Sequence, residues 1–426
     1  MERRSDWRDG AEQYAGRQYS IGLGARGRNA LQKFGLWEAC RARGVASDAF
    51  ILHVSDKRAF NIRQNAGDTE PSCLINRGAL CAALLEALLE RYGASGRLEV
   101  RFGVALDEVD VEASVVRLGG KEERYDLLVG ADGVRSRVRA AVVAVGGAAC
   151  EMRELPGGLK VVHSPMPAGL QADAVHAFGG RSPPGAKGDA AKAEGKFGIF
   201  SIPAPGGRAC TLLSWEDDSA PADLLSAESP AELSRLVAER FPTFGPLSDE
   251  AAAGVLAQEP TRAAVVQCDQ YSFTGSETGS AVVLLGDAAH STGGTLGQGA
   301  NSALQDVVAL DRALTAHSAG SGALTEAARA YSARQAPEGA ALLELLELRP
   351  AGPISGVAFG LDAAYRAIGP KINSEIAPGV QAQLTQTLRP YTQIVAQNEW
   401  LLKLIRWEAK GKKGGDRGGE KPAGVV

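Results

Sequence analysis

Histidine, methionine and aromatic side chains are scarce in this chain of 426 residues: five, three and 6% respectively. The five histidines, His53, His163, His176, His290 and His317, lie far apart, which argues against a histidine-ligated metal centre. The six cysteines, Cys40, Cys73, Cys81, Cys150, Cys210 and Cys268, show no metal-like spacing and read as free thiols in a reducing compartment. No apolar run reaches the roughly 18 residues that cross a bilayer. The longest, Ala281–Leu285 and Ala340–Leu348, are short or carry charge. The N-terminus has no signal-peptide core, so secretion is not indicated. A net charge of −4 gives no sign of a nucleic-acid partner, and no internal repeat stands out. Charged residues at 23% and hydrophobic ones at 45% describe a soluble globular protein, long enough for two or three domains.

Glycine, by contrast, is abundant, and it concentrates at loops that matter. Ala281–Leu285 reads as a buried strand. It ends at Gly286-Asp287, a glycine that admits close approach and a carboxylate that accepts hydrogen bonds. A loop follows through Gly297-Gln-Gly299, and an amphipathic helix begins near Ala300-Asn301, with Leu304, Val307, Val308 and Leu310 at helical spacing. A helix N-terminus carries free N–H groups and positive partial charge, so it suits an electron-rich group. Farther upstream, Tyr125 to Arg137 repeats the pattern. An apolar strand ends in Ala131-Asp132-Gly133, followed by Arg135, Arg137 and Arg139, side chains suited to phosphate.

The Gly286–Asn301 segment resembles the second flavin signature of the FAD-dependent aromatic hydroxylases of the p-hydroxybenzoate-hydroxylase type. The resemblance implies an α/β fold: a Rossmann-like FAD/NAD(P)-binding domain with an inserted, mostly antiparallel β-sheet and a helical C-terminus. It implies FAD and NADPH or NADH as cofactors, and a small aromatic substrate and O2 as partners. It makes Asp287 the ligand of the ribityl chain, with Gly286, Gly297, Gly299, Ala300 and Asn301 around the flavin. Asp132 and Gly133 would lie near the pyrophosphate or the nicotinamide nucleotide. His290 reads as a structural hydrogen-bonder rather than a base.

Within that family the nearest branch is similar to the kynurenine 3-monooxygenases. Gly16 to Leu31 with Phe34-Gly-Leu36, and Leu74-Ile-Asn-Arg-Gly-Ala-Leu80, carry this likeness. It makes Arg77 the partner of a substrate carboxylate. Tyr92, one residue off register, would be a second substrate contact. A mitochondrial location is implied by the same likeness, beside a cytoplasmic one. The C-terminal Asn and Tyr substrate contacts of that branch have no clear counterparts, and the loop Ser291–Leu296 is smaller than theirs. Other flavin monooxygenation or epoxidation, of a phenolic acid or a polyene, therefore stays open.

Gly22-Leu-Gly-Ala-Arg-Gly27 matches the dinucleotide fingerprint but reads as a decoy, although Gly24 remains a candidate cofactor contact. The apolar stretch before it is too short for a buried parallel strand, and Glu38 falls within a helical pattern rather than at a strand end. On the resemblance this segment follows the true fingerprint, so the chain as written reads as lacking its first βαβ unit. That would weaken FAD binding, and a non-catalytic remnant is the corresponding alternative.

The expected organisation is a flavin domain, first part, over 1–150, a substrate sheet over 151–275, the second flavin part over 276–349, C-terminal helices over 350–409 and a disordered basic tail over 410–426. Leu98–Phe102 and Val115–Leu118 read as strands, Asn65–Asp68 as a turn, and Pro230–Phe241 as a helix. Prolines 350, 353, 370 and 378 are expected to break the C-terminal helices. Trp400, Leu401, Leu404, Ile405 and Trp407 form an apolar stripe that packs on the body or touches a membrane surface; oligomeric state is not legible.

Overall fold

A computed structural model describes residues 1–9, 18–63, 70–185, 195–216, 220–275, 279–294, 296–320, 322–372 and 376–415. The first stretch holds strands β1 (Ser20–Leu23), β2 (Val45–Ser47), β3 (Phe50–Ser55), β4 (Arg58–Asn61) and β5 (Ser72–Asn76), with helices α1 (Ala25–Lys33), α2 (Trp37–Arg41) and α3 (Arg77–Tyr92). It continues through β6 (Leu106–Asp110), β7 (Val115–Leu118), β8 (Lys121–Arg124), β9 (Leu127–Gly130) and α4 (Arg137–Ala144). The middle holds β10 (Cys150–Glu154), β11 (Gly158–Pro165), β12 (Val175–Arg181), β13 (Phe197–Ala204), β14 (Arg208–Trp215), α5 (Ala222–Ser226), α6 (Pro230–Arg240), α7 (Asp249–Leu256) and β15 (Ala264–Cys268). The last stretch holds β16 (Ser272–Thr274), β17 (Ala281–Leu284), α8 (Asp287–His290), α9 (Gly299–Ala316) and α10 (Ala323–Glu344). Helices α11 (Pro353–Ile372), α12 (Val380–Gln386), α13 (Tyr391–Gln397) and α14 (Glu399–Gly415) complete it.

The apolar runs at Leu127 and Ala281 come together as parallel neighbours, β9 and β17, with Gly130 opposite Leu284. All of β17 is buried, as a strand covered on both faces must be. It shares a core with α4, α9 and α10 through Val138, Val142, Leu310 and Tyr331. The six-stranded sheet runs β11-β14-β13-β12-β3-β4. One face is closed by α6 and α7 through Leu233, Val237 and Val255 against Phe178, Phe197 and Leu213. The other meets β5 at Leu74, Val161 and Cys210. Strands β10 and β15 pair with each other and carry the chain into and out of this sheet.

Several sequence expectations need correction. The large sheet recruits β3 and β4 from the first stretch, through the parallel pairing of β3 with β12, so it does not begin near residue 151. Leu98–Phe102 forms no strand; Arg101 and Gly103 instead bond the chain near Glu2 and Arg4. Pro370 lies inside α11, and Pro337 is carried inside α10. The basic tail does not start at 410, because α14 continues to Gly415. The Asn65–Asp68 turn and residues 416–426 lie outside the described residues. Cys150 and Cys268 are not free thiols but form a disulfide, since the β10–β15 register places them opposite one another across 118 residues of sequence. Leu401 and Ile405 pack inward while Trp400 and Trp407 stay exposed. No described helix is long and apolar enough to cross a membrane.

Candidate functional site

Gly286 turns the chain at the end of β17 with φ of +57°, a conformation that disfavours any side chain. A Cβ there would also approach Ala303 of α9 to 2.9 Å. The Gly286 amide donates to Asp306 Oδ2 at 2.9 Å. Asp306 is buried on the core face of α9 and gathers two more donors: His290 Nε2 at 2.6 Å and Gln335 Nε2 at 2.8 Å. Burial opposes a charge on His290, but Asp306 outweighs it and the imidazole pKa ends above its ordinary value. His290 is therefore a structural hydrogen-bonder, as its sequence context suggests. Asp306 was missed in sequence, although an acid at a core position of an amphipathic helix is a visible signal.

Asp287 differs from this network. Its side chain is solvent-accessible, and it has no hydrogen-bond partner among the described residues. The protein walls around it still raise its carboxyl above the usual range, while His290 and Arg77 pull it back. The start of α9 lies directly beside it: a Cβ on Gly299 would sit 3.7 Å from Asp287 Oδ1. The first backbone bond of α9 runs from Ser302 N to Gln298 O. The amides of Gly299, Ala300 and Asn301 thus have no partner within the helix, and the helix dipole places positive potential on the same spot. An acceptor for hydroxyls and a set of donors for an electron-rich ring edge share one cleft, which fits the ribityl chain and pyrimidine edge of a flavin.

The Asn301 side chain faces the other way. Its Oδ1 accepts from the amides of Gly24 at 3.0 Å and Gly27 at 3.2 Å, and its Nδ2 donates to Gly22 O at 2.8 Å. The Gly22–Gly27 fingerprint is thereby closed by protein. A Cβ at Gly24 would meet Thr385 O at 2.4 Å, and one at Gly27 would meet Asn301 Oδ1 at 2.7 Å. Strand β1 is antiparallel to β5, another departure from a βαβ phosphate loop. Gly24 contacts α9 and the C-terminal chain, so its amide is not available to a cofactor.

Asp132 is engaged as well. Its carboxylate accepts from Ser136 Oγ and from the amides of Arg137 at 2.7 Å and Val138 at 3.2 Å, capping α4. Gly133 makes the turn with φ of +81°. Arg137 donates to the carbonyls of Leu106 and Asp107. The buried Arg139 donates to Ala288 O at 2.9 Å and ties the two motifs together. Arg135 and Arg137 are both exposed, and Arg135 lies 3.4 Å from Glu154.

Arg77 opens α3, and Asn76 caps the helix. Its Nε donates to Oε1 of the buried Gln18 at 3.1 Å, and its guanidinium lies 5.2 Å from the Tyr19 ring centre. Both Nη atoms are without a partner among the described residues. Gln18 O in turn accepts from His163 Nε2 at 2.6 Å, on the sheet face that meets the flavin domain. Arg77 also stands close enough to Asp287 to lower its carboxyl pKa. Tyr92 is elsewhere. It ends the same helix, exposed, about 22 Å along the axis from Arg77. The structure does not bring the two together.

A tyrosine does reach the site from the C-terminal region. The buried Tyr391 lies under the Arg26 guanidinium, 4.2 Å from its ring centre, and its hydroxyl donates to Gln298 Oε1 at 3.4 Å. Burial pushes the Tyr391 phenol up to about 12, so it remains a donor.

Several known proteins are similar to this chain. Kynurenine 3-monooxygenase of Xanthomonas campestris pv. campestris (strain 8004) is 28% identical over 341 residues, covering 78% of this chain and 68% of that protein. The Salinispora tropica kynurenine 3-monooxygenase is 28% identical over 359 residues, 81% of this chain and 72% of that one. Both sources are bacteria, so these relatives lend no support to a mitochondrial location. Among solved structures, 2-methyl-3-hydroxypyridine-5-carboxylic acid oxygenase superposes with a TM-score of 0.62 at 16% identity, covering 92% of this chain and 87% of that one. Pseudomonas aeruginosa PqsL, in complex with 2-aminobenzoylacetate, gives 0.57 at 23% identity, covering 79% and 86%. The FAD-binding-domain profile matches residues 17–169 and 188–345, most of the chain, and the protein belongs to that family.

Proposed function

We propose that this protein is an FAD-dependent, NAD(P)H-driven monooxygenase that hydroxylates a small aromatic carrying a carboxylate, in the manner of kynurenine 3-monooxygenase. Asp287 carries the proposal: an aspartate in a protein-lined cleft, without a hydrogen-bond partner among the described residues, beside the first amides of an 18-residue helix, which have no partner within that helix. Its carboxylate would accept from the ribityl hydroxyls, and the amides of Gly299, Ala300 and Asn301 would hold the pyrimidine edge of the ring. When bound, FAD would supply the redox chemistry, with electrons drawn from NAD(P)H as a hydride, one oxygen atom of O2 delivered to the substrate ring and the other released as water. The protein orients the ring and keeps water from it. Arg77, anchored at Nε by Gln18, presents its two Nη atoms as an end-on fork for a carboxylate. Tyr391, through Gln298, steadies the loop that starts α9.

The test is the visible absorption spectrum of the purified full chain before and after incubation with FAD and dialysis, followed by NADPH oxidation with and without kynurenine. Retained flavin and kynurenine-stimulated oxidation are expected. A protein that takes up no flavin sinks the reading. Arg77→Met should raise the apparent substrate constant by roughly 10-fold or more and leave flavin content intact, because one charge-assisted pair is lost. Loss of flavin instead would assign Arg77 to the cofactor. A different carboxylated aromatic is the second reading, favoured by the small side chains at Ser291–Gly294; flavin retention with NADPH oxidation stimulated by a phenolic acid and not by kynurenine would select it.

A further inference from the structure

Strands β10 and β15 are one of two places where the chain passes between the flavin domain and the large sheet, the other being around β3 and β4. Asp269 N donates to Ala149 O at 3.0 Å, which makes the adjacent Cys150–Cys268 pair the close, non-hydrogen-bonded kind, with Cα atoms 4.1 Å apart. Their sulfurs are bonded to each other. The far side of β15 braces the flavin loop. Val266 N donates to Ser291 O at 3.0 Å, Ser291 Oγ donates to Ala264 O at 2.8 Å, and Val265 bridges to Thr292. The Cys268 sulfur lies 4.0 Å from the carbonyl of Ala288, the residue after Asp287. Cys268 is buried and Cys150 is only half-buried, so Cys150 is the more accessible residue of the pair.

We propose that Cys150 and Cys268 are a reversible thiol–disulfide site, through which a dithiol reductant loosens β15 and the Ala288–Thr292 segment it braces. The thiolate of the dithiol attacks Cys150 Sγ, the disulfide breaks, and Cys268 leaves as a thiolate and takes a proton. The second thiol of the reductant then displaces Cys150, leaving two protein thiols and one oxidised dithiol. The other buried thiols stand aside: burial pushes Cys40, Cys73 and Cys210 up to about 11, far from thiolate at neutral pH. The effect on the loop is independent of the proposed activity; only its consequence for flavin retention rests on that reading.

The flavin-loaded full chain is equilibrated with oxidised or reduced dithiothreitol, alkylated, and followed by mass spectrometry and hydrogen exchange. Cys150 and Cys268 should be alkylated only after reduction. Amides in 264–268 and 288–292 should then exchange roughly 10-fold faster, with flavin released several-fold faster. Cys268→Ser, or Cys150→Ser if the first fails to fold, should match the reduced protein and ignore the reductant. Unchanged exchange in both segments overturns the proposal, as does a pair alkylated in neither state or in both. A chain that holds no flavin in either state defeats the functional reading, and the exchange rates still decide the switch.

Discussion

Asp132 and Asp287 occupy matching places, just past the ends of the parallel neighbours β9 and β17, and each opens toward a helix. Asp132 is saturated by Ser136 and the first amides of α4. Asp287 is bonded to nothing among the described residues, and its own short helix is followed by a loop that swings the α9 N-terminus against it. A strand–Asp–helix pattern is thus compatible with a cap and with a ligand site. The difference lies in whether the next helix starts close enough to use the carboxylate itself.

The comparison can be broken most decisively at Asp287. Asp287→Ala should weaken FAD binding by roughly 100-fold, since one or two hydrogen bonds to a charged acceptor contribute about 1.5–3 kcal/mol each. A flavin-fluorescence titration measures it, and binding within a few-fold of wild type would refute the ligand assignment. Next comes Asn301→Ala, which leaves the buried amides of Gly24 and Gly27 without their acceptor. About 3 kcal/mol of stability should be lost in urea unfolding. Asp132→Ala is expected to be milder, about 1 kcal/mol of thermal stability from a lost cap, with flavin affinity unchanged within about twofold. A large loss of flavin there would restore Asp132 as a cofactor ligand.

The smallest effect is one of pH. Because the protein walls of the cleft partly desolvate Asp287 and raise its folded carboxyl above its ordinary 3.8, the folded apoprotein binds that proton more tightly than the unfolded chain. This favourable contribution is complete below the unfolded value and is lost as pH rises through the folded one. At neutral pH the ionised form opposes folding, so Asp287→Asn should stabilise the apoprotein slightly while weakening flavin binding. Flavin affinity of the parent protein should fall on acidification before an ordinary carboxylate titrates. A thermal-melt series from pH 4 to 8, with and without FAD, checks both signs; an apoprotein destabilised at neutral pH by Asp287→Asn would overturn the reasoning.

Local pattern made much of this legible. The apolar runs ending in Asp, the helical spacing after Gly299 and the weak strand before Gly22 are short-range signals, and each corresponds to a real element or a real departure from one. Tyr92 shows where such reasoning fails: a resemblance one residue out of register placed it with Arg77, and a continuous 16-residue helix separates them. The proline at 370 was misjudged for a related reason, because packing can hold a helix that local propensity alone would break.

By itself, the sequence determined the family, the flavin chemistry and the candidates Asp287 and Arg77, because these rest on residue types at fixed local spacing. Tertiary structure decided which candidates are open. It closed Gly24 with Asn301, Asp132 with Ser136 and α4, and His290 with Asp306; it joined Cys150 to Cys268 and brought Tyr391 to Gln298. Every one of these contacts except the Asp132 cap and the His290–Asp306 pair spans more than 90 residues of chain. Such contacts are set by how sheets and helices pack, and a one-dimensional pattern carries no record of who the distant neighbour is.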